Sequence, residues 1–247
     1  MSDPRVSIVI PAYNESDSIA RGVLDDVIGT LAGLDRSWEV LLVDDGSQDD
    51  TLALMQAFAE RHPGIDCLAE PHRGKGPSIL AGMCAARGEI IAFVDMDQAT
   101  PLSELPGLLA WCDRGCEVVI GCRGLRRADA PLRRRVASLG FTMARILCVG
   151  LLPLLDTQCG FKAFSRKAAE AIMGHLKIFE DESAHSPNEK CVTPAFDVEL
   201  LYVARRLGYG IKAVPVEWSY RHTHGLNLAR AGWVGVRDLA RIRRAHR

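Results

Sequence analysis

Asp95 and Asp97, separated only by Met96, follow the apolar run Glu89-Ile90-Ile91-Ala92-Phe93-Val94 and precede Gln98-Ala99-Thr100-Pro101. Two carboxylates so placed sit where a buried strand ends. Alternate side chains of an extended chain share one face, so both reach one ligand. That donor set suits a hard divalent cation, Mg2+ or Mn2+, that keeps several waters and is completed by a substrate diphosphate. Asp-x-Asp pairs also occur in plain solvated loops, so the pair gains meaning only from what the fold brings beside it.

Three further polar clusters end or follow apolar runs. Pro11-Ala12-Tyr13-Asn14-Glu15 offers a flat ring and polar groups that can hold a nucleobase and ribose. It also reads as a strand-to-helix turn in which Asn14 caps the helix and Glu15 suits its positive end. Asp44-Asp45-Gly46-Ser47 can accept hydrogen bonds from base N–H or ribose hydroxyl groups, or can be a glycine turn with aspartates capping backbone. Gly121-Cys122-Arg123 is the third. Arg73-Gly74-Lys75-Gly76 adds phosphate-friendly chemistry with glycines that permit close backbone approach, without the Gly-Lys-Ser/Thr of a P-loop. By itself it reads as a surface turn.

The elements that must position these residues alternate along the first half. Strands are expected at Val6–Ile10, Glu39–Val43, around Cys67-Leu68, at Glu89–Val94 and at Glu117–Ile120. Helices are expected over Glu15–Ile28, from a cap at Asp49 or Asp50 to Arg61, over Pro77–Arg87 and over Leu102–Arg114. Near-continuous apolar strands between amphipathic helices imply a mostly parallel central sheet of the Rossmann-like α/β kind, with helices on both faces. Ligands of such sheets bind beyond the carboxyl ends of the strands, and the polar clusters lie there. The second half is less regular. Ser165 can cap a helix to Met173, residues 180–194 read as a polar loop, Phe196–Leu207 as a helix, and Ile211–Trp218 as an edge strand interrupted by Pro215.

Composition bounds the rest. With 247 residues the chain buries one substantial core, so one domain over 1–247 is expected, with a regularly alternating half at 1–125 and a less regular half at 126–247. A net charge of −1 gives no global attraction to nucleic acid. The eight cysteines include no Cys-x-x-Cys, which argues against a zinc site and for reduced thiols in the cytoplasm. The N-terminus carries no signal-peptide pattern. No stretch reaches the roughly 20 apolar residues of a membrane span. Arg133-Arg134-Arg135, followed by Leu139, Phe141, Met143, Ile146 and Leu147, suits a helix lying on an anionic cytoplasmic membrane surface. A homo-oligomer is compatible with all of this.

Together these clusters resemble the family-2 glycosyltransferases of the GT-A fold. The run Asp156-Thr157-Gln158-Cys159-Gly160-Phe161-Lys162-Ala163-Phe164, with Phe196-Asp197-Val198-Glu199 downstream, is similar to the dolichyl-phosphate glucose and mannose synthase branch. The resemblance implies a nucleotide-sugar donor of UDP-glucose or GDP-mannose type, a polyprenyl or dolichyl phosphate acceptor, and single displacement with inversion. It implies that Pro11, Tyr13, Asn14, Glu15 and Asp45 serve the nucleoside, Lys75 the base or diphosphate, Asp97 the metal as its principal ligand, Asp95 the ribose or the metal, and Gln158 and Asp156 the sugar. Arg123 would engage phosphate, Lys162 would offset phosphate charge, and Asp197 and Glu199 would close the acceptor side. Arg133 and Arg134 would position the acceptor, and Cys159 would pack rather than react.

Three departures bear on the acceptor. Gln98 sits one residue earlier than in the relatives' Asp-x-Asp-x-Gln, residues 180–194 read as an insertion, and the last loop reads Ser219-Tyr220-Arg221-His222-Thr223-His224-Gly225. His222 and His224 suit phosphate or sugar, or a solvated loop. A phosphate acceptor, largely ionised near neutral pH with a second pKa of about 6, needs little base. A hydroxyl of a small metabolite or peptide, the alternative acceptor, would need Asp156 or Asp197 as base. A sugar nucleotidyltransferase would need a basic glycine-rich loop directly after the first strand, and Pro11-Ala12-Tyr13-Asn14-Glu15 is not one.

Overall fold

The computed structural model describes residues 3–123, 132–154, 156–177, 195–219 and 228–247, the description being of backbone only at 132–139, 141, 195 and 228–233. The expected loop at 180–194 and both His222 and His224 lie outside the described residues, as do the side chains of Arg133 and Arg134.

Seven strands form one sheet: β1 (Val6–Ala12), β2 (Trp38–Asp45), β3 (Ile65–Glu70), β4 (Ile90–Phe93), β5 (Val118–Cys122), β6 (Lys162–Ser165) and β7 (Ile211–Pro215), in the order β3-β2-β1-β4-β6-β5-β7. β1, β2, β3 and β4 run parallel, with Val9 opposite both Leu41 and Phe93. β6 is antiparallel to β4 and β5, with Lys162 opposite Phe93 and Ile120. Four residues are too short to show a period, which is why the sequence gives no sign of β6. Its insertion brings the Asp156–Lys162 segment beside the end of β4. Among the described residues β7 pairs only with β5, and it ends at Pro215, so the expected edge position is observed.

Helices cover both faces because successive strand residues point to opposite sides. On one face Val6, Ile8 and Ile10 pack with Leu24 and Val27 of α2 (Val23–Ala32) and Leu105 and Leu108 of α5 (Leu105–Cys112). On the other, Val9, Leu41 and Val43 pack with Ile79 and Met83 of α4 (Lys75–Ala85). That second face continues over Ile172 of α7 (Arg166–Met173) and Leu201 of α8 (Ala195–Arg206). The first expected helix is two, α1 (Ser16–Ala20) and α2, parted at Gly22, whose φ of 87° no ordinary helix accommodates. α3 (Thr51–Arg61) follows β2. α4 starts two residues before the expected Pro77. A proline in the first turn removes an N–H that has no intrahelical partner, so the helix begins at Lys75 and turns that residue toward the strand ends.

Farther along, α6 (Leu132–Val149) matches the expected basic-apolar helix and packs against α9 (Leu228–Ala245). Ser165 accepts from the N–H of Ala168 at the start of α7, the cap read from the sequence. Among the described residues no helix is long and apolar enough to cross a membrane.

Candidate active site

The carboxyl ends of β1, β2 and β4 and the start of α4 enclose a cavity of about 350 Å³. Pro11, Tyr13 and Glu15 line it from β1, Asp45 from β2, Lys75 from α4, and Asp95 and Asp97 from the segment after β4. All seven were singled out in the sequence as donor or metal residues. The volume falls in the range of about 300–1,000 Å³ usual for small-molecule sites.

Asp95 and Asp97 do not reach the cavity by strand alternation. β4 ends at Phe93, Met96 is buried in the core, and a turn closes with Gln98 at φ 49°. The Asp97 carboxylate accepts from the N–H of Ala99 at 2.9 Å. Asp95 forms an ion pair with Lys75, and its buried Oδ1 has no hydrogen bond of good geometry beside that contact. Burial works against the Lys75 ammonium, but Asp95, Asp197 and Asp97 outweigh it and hold its pKa above the ordinary lysine value. Burial, opposed by the Ser18 hydroxyl but reinforced by Asp97 and Asp95, raises Glu15 above the usual carboxylate range. Negative potential is thus concentrated at one end of the cavity. Asp95 and Asp97 both line the cavity and offer the hard carboxylate oxygens that a divalent cation takes. Among the described residues no cluster of three or more metal-ligating side chains occurs, so the remaining ligands would come from substrate and water, as Mg2+ prefers. Gln98 is not among the ligands, because its Oε1 accepts from Leu102 N at 2.8 Å and its amide donates to the Asp95 carbonyl.

At the nucleoside end the Asp45 carboxylate is already well supplied. Oδ1 accepts from Arg73 N at 2.9 Å, and Gly74 N lies within 3.1 Å of both oxygens. His72 Nδ1 lies 2.9 Å from Oδ2 and 2.9 Å from the Asp45 carbonyl oxygen. The His72 ring stacks on Tyr13 with centroids 4.0 Å apart and 17° between planes, and it too lines the cavity. Gly46, with φ 67°, lets the backbone of residue 72 come this close, since a Cβ there would stand 2.7 Å from His72 N. Asn14 lies beside the cavity. Its Oδ1 accepts from Gln48 N at 2.8 Å and its N–H donates to Ser47 Oγ, joining the β1 and β2 loops.

The Asp156–Lys162 segment supplies a second cluster. Arg123 holds Asp156 by a fork, Nε to Oδ2 at 2.8 Å and Nη2 to Oδ1 at 2.7 Å, and its guanidinium lies 5.8 Å from the Trp218 ring centre. The fork expected to face phosphate is therefore turned to Asp156. Burial disfavours its charge, but Asp156 more than compensates and raises its pKa. Gln158 N donates to Asp156 Oδ1 at 3.3 Å. Lys162 is fully buried, and its ammonium donates to Asp197 and to the Cys159 carbonyl. It neutralises Asp197 instead of standing open to an acceptor phosphate. Cys159 is buried, which raises its thiol pKa, and it packs as expected. The two clusters meet at Gly160, where a Cβ would overlap the Asp95 carboxylate.

Glu199 departs from its expected acceptor role. Consecutive helical residues rotate by about 100°, so Asp197 and Glu199 on α8 point nearly opposite ways. Asp197 faces Lys162, whereas Glu199 is buried, accepting from Lys177 N at 3.0 Å and pairing with His246 near the C-terminus at 2.6 Å. His72, Trp218 and Gly160 were not assigned from the sequence. The only signals were adjacency: His72 precedes Arg73-Gly74-Lys75-Gly76, and Gly160 lies inside the Asp156–Lys162 run.

Comparison with known proteins adds family and fold. The model of the family described as Glycosyl transferase family 2 matches residues 7–173. A dolichyl-phosphate beta-glucosyltransferase of Trichomonas vaginalis is 35% identical over 237 residues, covering 88% of this chain and 65% of that protein. One of Dictyostelium discoideum is 31% identical over 258 residues, covering 96% of this chain and 73% of that protein. The chain thus spans slightly less than two thirds of the first relative and more of the second. The glucosyl-3-phosphoglycerate synthase from Mycobacterium tuberculosis, solved with Mn2+, UDP and glucosyl-3-phosphoglycerate, superposes with a TM-score of 0.62 at 22% identity. That match covers 97% of this chain and 80% of that one, and it shows a shared GT-A fold.

Proposed function

Because the chain belongs to glycosyl transferase family 2, we propose that it moves a hexose, of glucose type, from a nucleotide diphosphate sugar to the phosphate of a polyprenyl or dolichyl carrier. The observation that carries the acceptor half of this reading is the pairing of both candidate bases. Asp156 is forked by Arg123, and Asp197 is held by buried Lys162. Both oxygens of Asp156 and Oδ1 of Asp197 are held by cations, which makes each carboxylate a weaker base for a hydroxyl acceptor. A phosphate already ionised asks for no such base. The curated relatives, named for glucosyl transfer to dolichyl phosphate, support the same choice.

Tyr13 and Asp45 shape the nucleoside end of the cavity, and Lys75 and Asp95, with Glu15 near the carboxylates, the diphosphate end. Asp97, with Asp95, would hold the divalent cation, which when bound neutralises the departing diphosphate. Lys75 adds a positive charge near the same oxygens. Arg123 fixes Asp156 toward the sugar, and Lys162 fixes Asp197 beneath it. An apolar group of exposed side chains, Met143 and Leu147 on α6 and Leu152 beyond it, suits the membrane surface from which a lipid phosphate would arrive. Buried Arg145, donating to the carbonyls of Leu151 and Leu154, and Arg205, donating to those of Gly150 and Leu152, hold the loop that ends two residues before Asp156.

The test is a transfer screen with UDP-glucose and GDP-mannose, with Mg2+ or Mn2+, in the presence and absence of polyprenyl phosphate in detergent. Glucose transfer that needs the lipid phosphate is expected. Equal transfer to water-soluble hydroxyl acceptors without lipid would overturn the reading.

A further inference from the structure

Among the described residues that line the donor cavity, Lys75 is the one lysine or arginine, and it pairs with Asp95, one of the two carboxylates suited to the metal. We infer that Lys75 is an exchangeable counter-ion that couples the two ligands of this site, holding Asp95 against a divalent cation until a nucleotide diphosphate draws the ammonium away. The inference rests on the donor and metal reading above and adds an order of affinities to it: weak for the metal alone, tight for the metal with the diphosphate.

The surroundings decide which partner of the pair moves. Asp95 has little room, because the backbone of residue 160 lies so close that a Cβ there would overlap its carboxylate. The start of α4 is equally fixed, since a Cβ at Gly76 would stand 2.9 Å from the Phe196 ring. The Lys75 side chain, in contrast, is 41% exposed on an unbranched, flexible stem. Neighbouring cations are held elsewhere, Arg73 by Glu70 at 2.6 Å, Arg123 by Asp156 and Lys162 by Asp197. Loss of surrounding water disfavours the Lys75 charge, and Asp95, Asp197 and Asp97 more than restore it. A divalent cation that takes Asp95 therefore meets a positive charge already on that carboxylate, and like charges at such range repel. The oxygens of a diphosphate reverse the sign, because they attract ammonium and metal together. Once Lys75 turns to phosphate, Asp95 is released to the metal. By linkage each ligand then raises the affinity of the other by the same factor.

A lysine that only binds phosphate makes a different prediction: its removal weakens nucleotide binding and leaves metal affinity as it was. Lys75→Met and Lys75→Gln remove the charge and keep most of the stem, and Lys75→Arg keeps the charge. Mn2+ binding without nucleotide is measured by electron paramagnetic resonance of the free ion. Binding of UDP and GDP with and without Mn2+ is measured by calorimetry, and folding by the melting temperature. Association of metal and nucleotide in free solution is common to all variants and cancels from the comparison. Both neutral variants should bind Mn2+ alone about tenfold more tightly than wild type, and the mutual assistance of nucleotide and Mn2+ should shrink by about the same factor. Lys75→Arg should return Mn2+ binding to the weak wild-type level. Adding Asp95→Asn to Lys75→Met should abolish the gain, which places it at Asp95. Mn2+ affinity that is unchanged or lower in the neutral variants, at a melting temperature near wild type, would overturn the inference. If the wild-type protein binds neither UDP nor GDP in the presence of Mn2+, the donor reading fails, and the nucleotide-free Mn2+ measurement still decides the role of Lys75 separately.

Discussion

Gly160→Ala is the most pointed perturbation of the site, because one methyl group joins the two clusters. A Cβ at residue 160 would stand 2.5 Å from Asp95 Cγ and from its Oδ1, where ordinary contact begins at 3.4 Å. The carboxylate must retreat by about 1 Å or the 156–162 segment must lift by as much, and a misplacement of about 1 Å at a reacting centre costs on the order of a hundredfold. Lys162 is fully buried and paired with Asp197, so the segment resists lifting and the carboxylate moves. Asp95 would then lose its place beside Lys75 and Asp97. The expected result is a fall of about a hundredfold in kcat/KM for hexose transfer, with metal-dependent UDP binding weakened in parallel. A melting temperature within a few degrees of wild type would assign the loss to the site. Transfer within twofold of wild type would refute the claim that Asp95 must sit against residue 160.

Asp97→Ala should abolish transfer and remove the dependence of UDP affinity on Mn2+ in calorimetry, with little change in melting temperature. Arg123→Ala strands the buried Asp156 carboxylate without its fork and should destabilise by about 3–5 kcal/mol in denaturant titration. The double substitution Arg123→Met/Asp156→Leu should recover much of that loss while remaining inactive. Glu15 has a raised folded-state pKa, so the folded protein binds its proton more tightly than the unfolded chain and stability falls as pH rises through the shifted value. Glu15→Gln should therefore be more stable than wild type at neutral pH, the advantage vanishing below the ordinary carboxylate range. Thermal melts across pH 4–8 check the sign.

The sequence displayed the donor half well, because Tyr13, Glu15, Asp45, Asp95 and Asp97 follow continuous apolar strands whose ends are marked by proline, glycine or paired aspartates. Strand-end placement brought Tyr13, Glu15, Asp45, Asp95 and Asp97 into one cavity, and Lys75, whose segment by itself reads as a surface turn, joins them from the start of α4. The reason first offered for Asp95 and Asp97 was wrong in detail, since a turn rather than an extended strand presents them. The second half was harder to read. β6 is four residues long and antiparallel, so no periodicity announces it. Arg123 and Lys162 look like free cations in a sequence, and only the fold reveals that Asp156 and Asp197 occupy them. Glu199 took its acceptor role from the resemblance alone, although the helix expected over Phe196–Leu207 already turns it to the face opposite Asp197. The stacking of His72 on Tyr13 spans 59 positions in the chain and leaves no local trace.

The most direct measurement concerns the atom that receives the sugar. Phosphorus NMR of polyprenyl phosphate, incubated with the protein, UDP-glucose and Mg2+, distinguishes a phosphate monoester from a glycosylated diester. The monoester resonance should be replaced by a diester resonance in step with UDP release, and Asp97→Ala should leave it untouched. A monoester that persists while UDP is released, with the hexose found on a hydroxyl or in water, would contradict the account.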